Sequence, residues 1–265
     1  MMTISDAPSV GDLLRTWRQR RRLSQLDLAC EANISTRHLS FLETGRSRPS
    51  REMILHLAER LELPLRERNM MLVAAGFAPV FPERPLSDPA LGAARRAVDL
   101  VLAGHAPYPA LAVDRHWNLI AANETTQRLM AGAAPALLQP PVNVLRLSLH
   151  PDGLAPRIAN LPEWRAHLLT RLARQVEITA DPVLAALMEE LKGYPVPASA
   201  RPHTDYGGVV VPFRLMTDGG MLSFFSTTTV FGTPVDVTLS ELALESFFPA
   251  DPETAEALRA MATAR

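Results

Sequence analysis

In residues 24–50 of this 265-residue chain, helix-capping serines stand at the start of short apolar stripes. Serine at such a position accepts a hydrogen bond from the first turn of a helix. Asn33 and Gly45 are residue types that end helices. The spacing therefore predicts a helix over 25–32, a break at Asn33 and a second helix that ends at Gly45.

Further short helices are predicted on both sides of this segment. Apolar residues at helical spacing indicate a helix over 10–22, another that opens at Ser50, and a fifth from Pro64 to Gly76. Prolines then crowd residues 77–90, which favours a linker. The prediction is an all-α, five-helix domain over residues 1–76 and a linker over 77–90.

Residues 24–50 have the features of a helix-turn-helix. Leu28, Ala29 and Leu39 are placed to fill the junction of two crossing helices, while the second helix keeps polar side chains free for a DNA groove. The segment resembles the phage-repressor and Cro class, also called the xenobiotic-response-element (XRE) family. The matching residues are Arg15, Arg18, Ser24-Gln25, Leu28-Ala29, Glu43, Gly45 and Pro49-Ser50.

This resemblance implies a λ-repressor-like fold and a set of DNA contacts. Gln25 is expected to touch a phosphate and brace the second helix, and Arg37 is chemically suited to read guanine. Phe41 departs from the polar residue often found at its position, which leaves contact with a thymine methyl or simple packing. The implied DNA-binding residues are Gln25, Thr36, Arg37, His38, Ser40 and Phe41, with Arg46 and Arg48 on phosphates.

Charge favours the DNA-binding interpretation. Residues 11–51 hold 9 arginines against 4 acidic residues, although the whole chain has a formal net charge of −1. A second interpretation stays open, because five short helices with surface arginines also describe a protein-interaction domain that does not bind DNA.

From residue 91 onward the sequence predicts an α+β domain. A helix over 89–103 is expected to connect the domains or to mediate dimerisation. The order of elements after it suggests a five-stranded antiparallel sheet with helices on one face. The predicted strands are 110–113, 117–122, 208–215, 221–231 and 235–248, and the predicted helices are one capped by Asn123, 162–178 and 182–191.

This second domain has a PAS-like layout, and its opening PALAVDRHWNLIAANETTQRLM resembles a PAS start. Together with the helix-turn-helix, the whole chain resembles the MmyB-like transcription regulators. The further matching phrases are NVLRLSLHPDGLAPRIANLPEWR, VVVPFRL and LESFFPADPETAEALR. The resemblance implies a long-chain fatty acid or a similar amphiphile as effector ligand in the PAS-like pocket, and no required cofactor.

An acyl chain needs an apolar tunnel with a positive or hydrogen-bonding group at its mouth. Each candidate for this pocket is also a typical core or turn residue, so packing alone remains an alternative. The candidate lining residues are Trp164, Leu168, Leu172, Phe213, Met221, Phe224 and Phe225, and the candidate carboxylate anchors are Arg146, His150 and Arg157.

Other functions are disfavoured by what the sequence lacks. No apolar run approaches the roughly 18 residues of a membrane span, and a cytoplasmic protein is expected. The single cysteine, Cys30, excludes an internal disulfide and is expected to be a small core residue. Neither catalytic nor metal-site motifs are present, so an enzyme and a metal site are not expected. An acid–base pair made by His203 and Asp205, or by His167 with Glu163, is the remaining catalytic alternative.

The sequence therefore predicts a homodimeric transcription regulator. Two recognition helices would bind half-sites of a palindromic operator on double-stranded DNA, about one helical turn apart. A small hydrophobic ligand in the second domain would modulate DNA binding. The alternative is a DNA-independent interaction or sensor protein whose PAS-like half binds a partner or another cofactor.

Overall fold

The computed structural model describes residues 8–196 and 211–263. It divides into two compact units, one made mainly of residues up to Glu83 and the other of most residues from Arg84 onward. This division falls inside the predicted linker 77–90. The first part of that segment packs on the first unit, because the Asn69 side chain accepts a hydrogen bond from the Val80 N–H and donates one to the Phe81 carbonyl.

Helices alone form the described part of the first unit up to Ala74, which confirms the five-helix prediction. Ser24, Ser35 and Ser50 each accept a hydrogen bond from the backbone N–H three residues on, so all three predicted caps are present. The helices are α1 (Val10–Arg20), α2 (Gln25–Glu31), α3 (Thr36–Glu43), α4 (Arg51–Arg60) and α5 (Leu65–Ala74).

The turn between α2 and α3 depends on Asn33. Its φ is 52°, a left-handed conformation that asparagine tolerates better than most residues. Ile34 N–H then bonds to the Ala29 carbonyl at 2.9 Å. The two helices therefore cross over a junction in which Leu28 and Leu39 are fully buried.

Both helices and strands form the described chain from Arg84 onward. The helices are α6 (Gly92–Gly104), α7 (Glu124–Met130), α8 (Val144–Leu149), α9 (Leu161–Thr179), α10 (Pro182–Lys192), α11 (Val237–Ser240) and α12 (Pro252–Thr263). The strands are β1 (Ala110–Val113), β2 (Leu119–Ala122), β3 (Phe213–Thr217), β4 (Gly220–Val230) and β5 (Ala243–Pro249).

Within the described residues, the strands form one five-stranded antiparallel sheet in the order β2-β1-β5-β4-β3, which confirms the predicted strand number and antiparallel pairing. Helices cover both faces of this sheet rather than one, because α6 packs on the face opposite to α7–α10. The chain leaves the sheet at one edge, β2, and returns at the other edge, β3. Apolar residues of α7, α8, α9 and α10 share one core with inward residues of the sheet. Helix α6 packs its Val98 and Leu102 against Ala110 and Ala112 in a separate cluster.

Three local predictions need correction or extension. The predicted strand 235–248 begins only at Ala243, because β5 pairs antiparallel with β4 from Val230 and the residues between them must reverse the chain. Helix α12 was not predicted from the sequence. Cys30 is exposed rather than buried, on the opposite side of α2 from Leu28.

Two of the remaining elements differ from their predictions in their bounds. The predicted helix 89–103 is α6, preceded by a 3-10 turn at Pro89–Leu91. The first residues of the predicted strand 208–215 lie outside the described residues, and β3 begins at Phe213.

Candidate functional site

The predicted recognition helix is α3, and the side chains proposed to contact DNA are accessible on it and after it. Arg37, Arg46 and Arg48 are exposed. Thr36, His38, Ser40 and Phe41 are partly exposed, whereas Leu39 and Leu42 of the same helix are buried. Helical periodicity thus separates a packing face from a face that is free to contact a partner.

The Phe41 ring contacts the guanidinium groups of two of these arginines. The guanidinium of Arg37 lies 5.3 Å from the centroid of its ring and that of Arg46 lies 5.9 Å away. Both distances fall within the range of cation–π attraction, which is worth about 0.5–1 kcal/mol at exposed sites. Phe41 therefore packs against positively charged side chains, and its contact with a thymine methyl stays a prediction.

A buried ion pair between α1 and α3 fixes the recognition helix. Arg18 Nε donates to Glu43 Oε1 at 2.6 Å and Arg18 Nη2 donates to Oε2 at 2.9 Å. Gln25 Nε2 donates to the same carboxylate at 2.8 Å, so Gln25 braces α3 as expected. Burial alone would raise the pKa of Glu43, but the hydrogen bonds from Arg18 and Gln25 and the charges of Arg18 and Arg15 hold it below its ordinary value.

Gly11 lets α1 approach the end of α3. A Cβ at this position would lie 2.7 Å from the Leu42 carbonyl oxygen and 2.8 Å from that of Glu43. Arg15 Nη2 donates to the Glu43 carbonyl at 3.0 Å. Residues of α1 therefore help to position α3. The Arg15 side chain is hydrogen-bonded within the protein rather than free in solvent.

The second unit contains an apolar cavity between the sheet and the helices that cover it. The empty space among its lining residues is about 760 Å³ when the open solvent at its mouth is counted. The lining residues are Pro109, Leu111, Trp117, Thr126, Leu129, Met130, Val144, Leu145, Leu147, Ser148, Leu154, Trp164, Leu168, Arg171, Phe213, Leu215, Phe224, Glu245 and Phe247.

Polar groups are few in this wall, and each that we describe has a protein partner. Trp164 Nε1 donates to Ser148 Oγ at 3.0 Å. Arg171 Nη2 donates to Glu245 Oε1 at 2.5 Å and Nη1 donates to Oε2 at 3.2 Å. The Arg171 guanidinium also lies 4.9 Å from the Trp117 ring centroid. The cavity is therefore an apolar chamber with one ion pair in its wall.

Comparison with protein families identifies both units. Residues 94–261 match the MmyB-like transcription regulator ligand binding domain, and residues 9–70 match a helix-turn-helix domain. The first match alone spans more than half of the chain. The chain belongs to the MmyB-like transcription regulators. It thus combines an N-terminal helix-turn-helix domain with a C-terminal ligand-binding domain of this family.

Comparisons with individual proteins add little to this family assignment. No curated protein matches the chain. Among solved structures it is similar to an RNA-binding Light-Oxygen-Voltage receptor, with 14% identity and a TM-score of 0.30, over 97% of this chain and 64% of that one. The regulator therefore spans less than two thirds of that structure's length, and a similarity this weak supports no functional assignment.

The cavity of this MmyB-like regulator includes some of the predicted lining residues and not others. Trp164, Leu168, Phe213 and Phe224 line it. Leu172 is fully buried in the adjoining core but is not among the lining residues.

Met221 and Phe225 lie on the opposite face of the sheet. Met221 is 51% exposed and pairs with Met216, and Phe225 stacks on Phe248 at 5.2 Å. Successive side chains of a strand point to opposite faces, so the neighbours of Phe224 on β4 cannot join it in the cavity.

The three predicted carboxylate anchors also lie outside the lining. Arg146 makes paired hydrogen bonds to Glu190, both at 2.7 Å. Arg157 donates to the carbonyls of Ala131 and Leu129. His150 packs edge-on against Tyr194 with ring centroids 5.0 Å apart. Each of these side chains is engaged with protein, which explains why a positive charge in the sequence was not sufficient to locate the polar part of the cavity.

The charged groups that do line the cavity were missed. Arg171 stands seven residues after Trp164, so helical spacing places both on one face of α9. Glu245 is the acidic member of the apolar strand ALESFFP and alternates with Leu244 and Ser246, which are buried on the opposite face of the sheet. A charge at an inward position of an apolar element was the signal that could have found them.

The described residues contain no group of three histidine, cysteine, aspartate or glutamate side chains arranged to hold a metal ion. None of the described helices is both long and apolar enough to cross a membrane. Of the two acid–base pairs considered from the sequence, His203 and Asp205 lie outside the described residues. His167 stacks on Trp164 at 5.4 Å, and burial first, then the charge of Arg171, lowers its pKa, partly offset by Glu245.

Proposed function

We propose that this regulator is a homodimeric, cytoplasmic, non-enzymatic sensor whose affinity for a palindromic operator changes when a single-chain amphiphile occupies the apolar cavity. A long-chain fatty acid is the ligand that the sequence resemblance implies, with no further cofactor required. The observation that carries the proposal is the cavity itself, whose wall consists mainly of leucine and aromatic side chains. Such a surface is stabilised by filling it with an apolar chain.

The ligand acts only if it binds one conformation more tightly than another. A shift in DNA affinity equals, in free energy, the difference between the ligand's affinities for the DNA-bound and free conformations. The sign of this difference decides whether the ligand releases the operator or strengthens its binding. Both signs are consistent with the proposal, whereas an equal affinity for both conformations contradicts the modulation of DNA binding.

The first experiment is native and denaturing mass spectrometry on one purified sample, because it reports subunit number and any co-purified small molecule together. A dimer that releases a single-chain amphiphile on denaturation supports the proposal. Operator selection with and without that amphiphile then measures the change in DNA affinity. A monomer contradicts the dimer, and a protein that neither carries nor binds amphiphiles contradicts the ligand assignment.

A pair of matched variants links the ligand to the cavity. Leu168→Phe adds volume to the cavity wall, and Met221→Phe adds the same side chain on the exposed face of the sheet. We expect Leu168→Phe to weaken amphiphile binding about tenfold or more and Met221→Phe to leave it unchanged, since only the first occupies ligand volume. Steeply salt-dependent operator binding that needs Arg37 would separate this regulator from a DNA-independent interaction protein.

A further inference from the structure

We infer that the cavity binds amphiphiles with an uncharged head group, and that a fatty acid enters it as the protonated acid rather than as the carboxylate. This inference rests on the proposed function, because it concerns the ligand of the same cavity. It specifies the class of head group. It also predicts that the affinity for a fatty acid depends on pH, which burial of the acyl chain alone does not predict.

The cavity wall contains one positive and one negative side chain. Among the described residues that line the cavity, only Arg171 and Glu245 are charged at neutral pH, and they bind each other through two hydrogen bonds. Thr228 completes the pair, because its hydroxyl donates to Glu245 at 2.8 Å and accepts from Arg171 at 2.9 Å. The wall therefore has no net charge to attract an anion.

The pair is largely buried, so a further negative charge placed beside it would be poorly solvated. The Glu245 side chain is 4% exposed and that of Arg171 is 24% exposed. A ligand carboxylate beside them would put two negative charges next to one guanidinium in a largely apolar chamber. An uncompensated buried charge is costly, and a titratable group in this position takes up a proton instead.

An uncharged head group avoids this cost and still finds partners. A guanidinium has five N–H donors and a carboxylate has about four acceptor positions, which exceeds what Arg171 and Glu245 use on each other. An alcohol, a primary amide or a protonated acid can therefore donate to Glu245 and accept from Arg171 while the pair stays intact. A carboxylate can only accept, so it must compete with Glu245.

The neighbouring groups do not change this balance near neutral pH. The pair is faced by His167 of α9, Trp117 of the β1–β2 turn and Thr228 of β4, and Trp117 and Thr228 are uncharged. Burial first, and then the charge of Arg171, lower the pKa of His167, so this imidazole carries less positive charge near neutral pH than an unperturbed one would.

The test compares ligands that differ only in the head group. Calorimetric titration of the full-length protein with 1-decanol, decanamide and decanoate at about pH 7.5 should show that the two uncharged ligands bind about 1,000-fold more tightly than decanoate, because at that pH only about one in 1,000 molecules of an acid with a pKa of about 4.3 carries its proton. Between about pH 8 and pH 6.5, decanoate affinity should rise about tenfold per pH unit while 1-decanol affinity stays constant, because only the acid form binds. Titrations in buffers of different ionisation enthalpy should show about one proton taken up per decanoate bound.

Glu245→Gln and Glu190→Gln form a matched pair of variants. Each removes one carboxylate charge from an arginine–glutamate pair, but the Glu190 pair with Arg146 lies outside the cavity lining. Glu245→Gln leaves Arg171 unneutralised and should raise decanoate affinity about tenfold, with little change for 1-decanol. Glu190→Gln should change neither affinity.

The outcomes separate the inference from the function beneath it. If decanoate binds the parent protein more tightly than 1-decanol and without proton uptake, the neutral-head inference is wrong and the amphiphile-binding function stands. If none of the ligands binds, the amphiphile-binding function fails and the inference fails with it. Proton uptake by the parent protein decides the question even if Glu245→Gln does not fold.

Discussion

Replacing Glu43 with alanine tests whether the buried ion pair holds α3 against α1. The Glu43 side chain is 0% exposed and that of Arg18 is 10% exposed, so the variant leaves a buried guanidinium without its carboxylate. Removing one partner of a buried pair costs about 3–5 kcal/mol. Arg18 keeps a hydrogen bond to the Leu23 carbonyl at 2.8 Å, so we expect the lower end of that range, about 3 kcal/mol.

Hydrogen exchange measures this loss where it occurs, in peptides that cover α1 and α3 of the full-length protein. When exchange follows the opening equilibrium, about 3 kcal/mol corresponds to about 150-fold faster exchange. Glu59→Ala is the control, because Glu59 is an exposed glutamate of α4 and such changes stay within about 0.5 kcal/mol. Arg18→Met combined with Glu43→Ala should recover part of the protection, since it removes the unpaired charge. Exchange within about threefold of the parent in Glu43→Ala would show that the pair does not stabilise the domain.

Four further changes test the two sites. Arg37→Ala should cost about 1–3 kcal/mol at one base pair of the operator, and an unchanged sequence preference in a selection experiment would refute its assignment as a base contact. Phe41→Ala should weaken operator binding about fivefold, because each lost cation–π contact is worth about 0.5–1 kcal/mol, and the affinity should fall without a change of preferred sequence. Arg171→Ala should lower 1-decanol affinity about tenfold, since it removes the N–H donor to the hydroxyl oxygen of the ligand, whereas Arg146→Ala should change it less than threefold in the same titration. Because the pKa of Glu43 is lowered, its stabilising effect is present above its unfolded pKa of about 4.3 and is lost as the pH falls through the folded value; hydrogen exchange of α1 in Glu43→Gln should therefore depend less on pH between about 5 and 3 than in the parent.

The helical domain was predictable because its signals are local. A serine cap acts on a backbone N–H three residues away, and Asn33 and Gly45 adopt the positive φ values of 52° and 70° that their residue types tolerate. Gln25 was expected to brace α3 on the basis of the family resemblance. Its actual partner, Glu43, lies 18 residues away. A local sequence pattern does not predict a contact over that separation.

The sheet was predictable in strand number and less so in strand ends. Dense β-branched and aromatic residues mark β4 and β5, but propensity alone extends the last strand over 235–242. Those residues reverse the chain between Val230 and Ala243, which face each other across the two strands. Pairing register, not composition, sets where β5 begins.

The cavity wall depends on contacts between residues that are far apart in the sequence, and these contacts were not predicted. Arg146 and Arg157 were the arginines predicted as anchors, and tertiary contacts show why neither reaches the cavity. Arg146 is paired with Glu190, and Arg157 is bound to backbone carbonyls. Arg171 faces the cavity but is neutralised by Glu245, 74 residues later. A search for a free positive charge therefore does not lead to this cavity, because the two charged side chains in its wall neutralise each other.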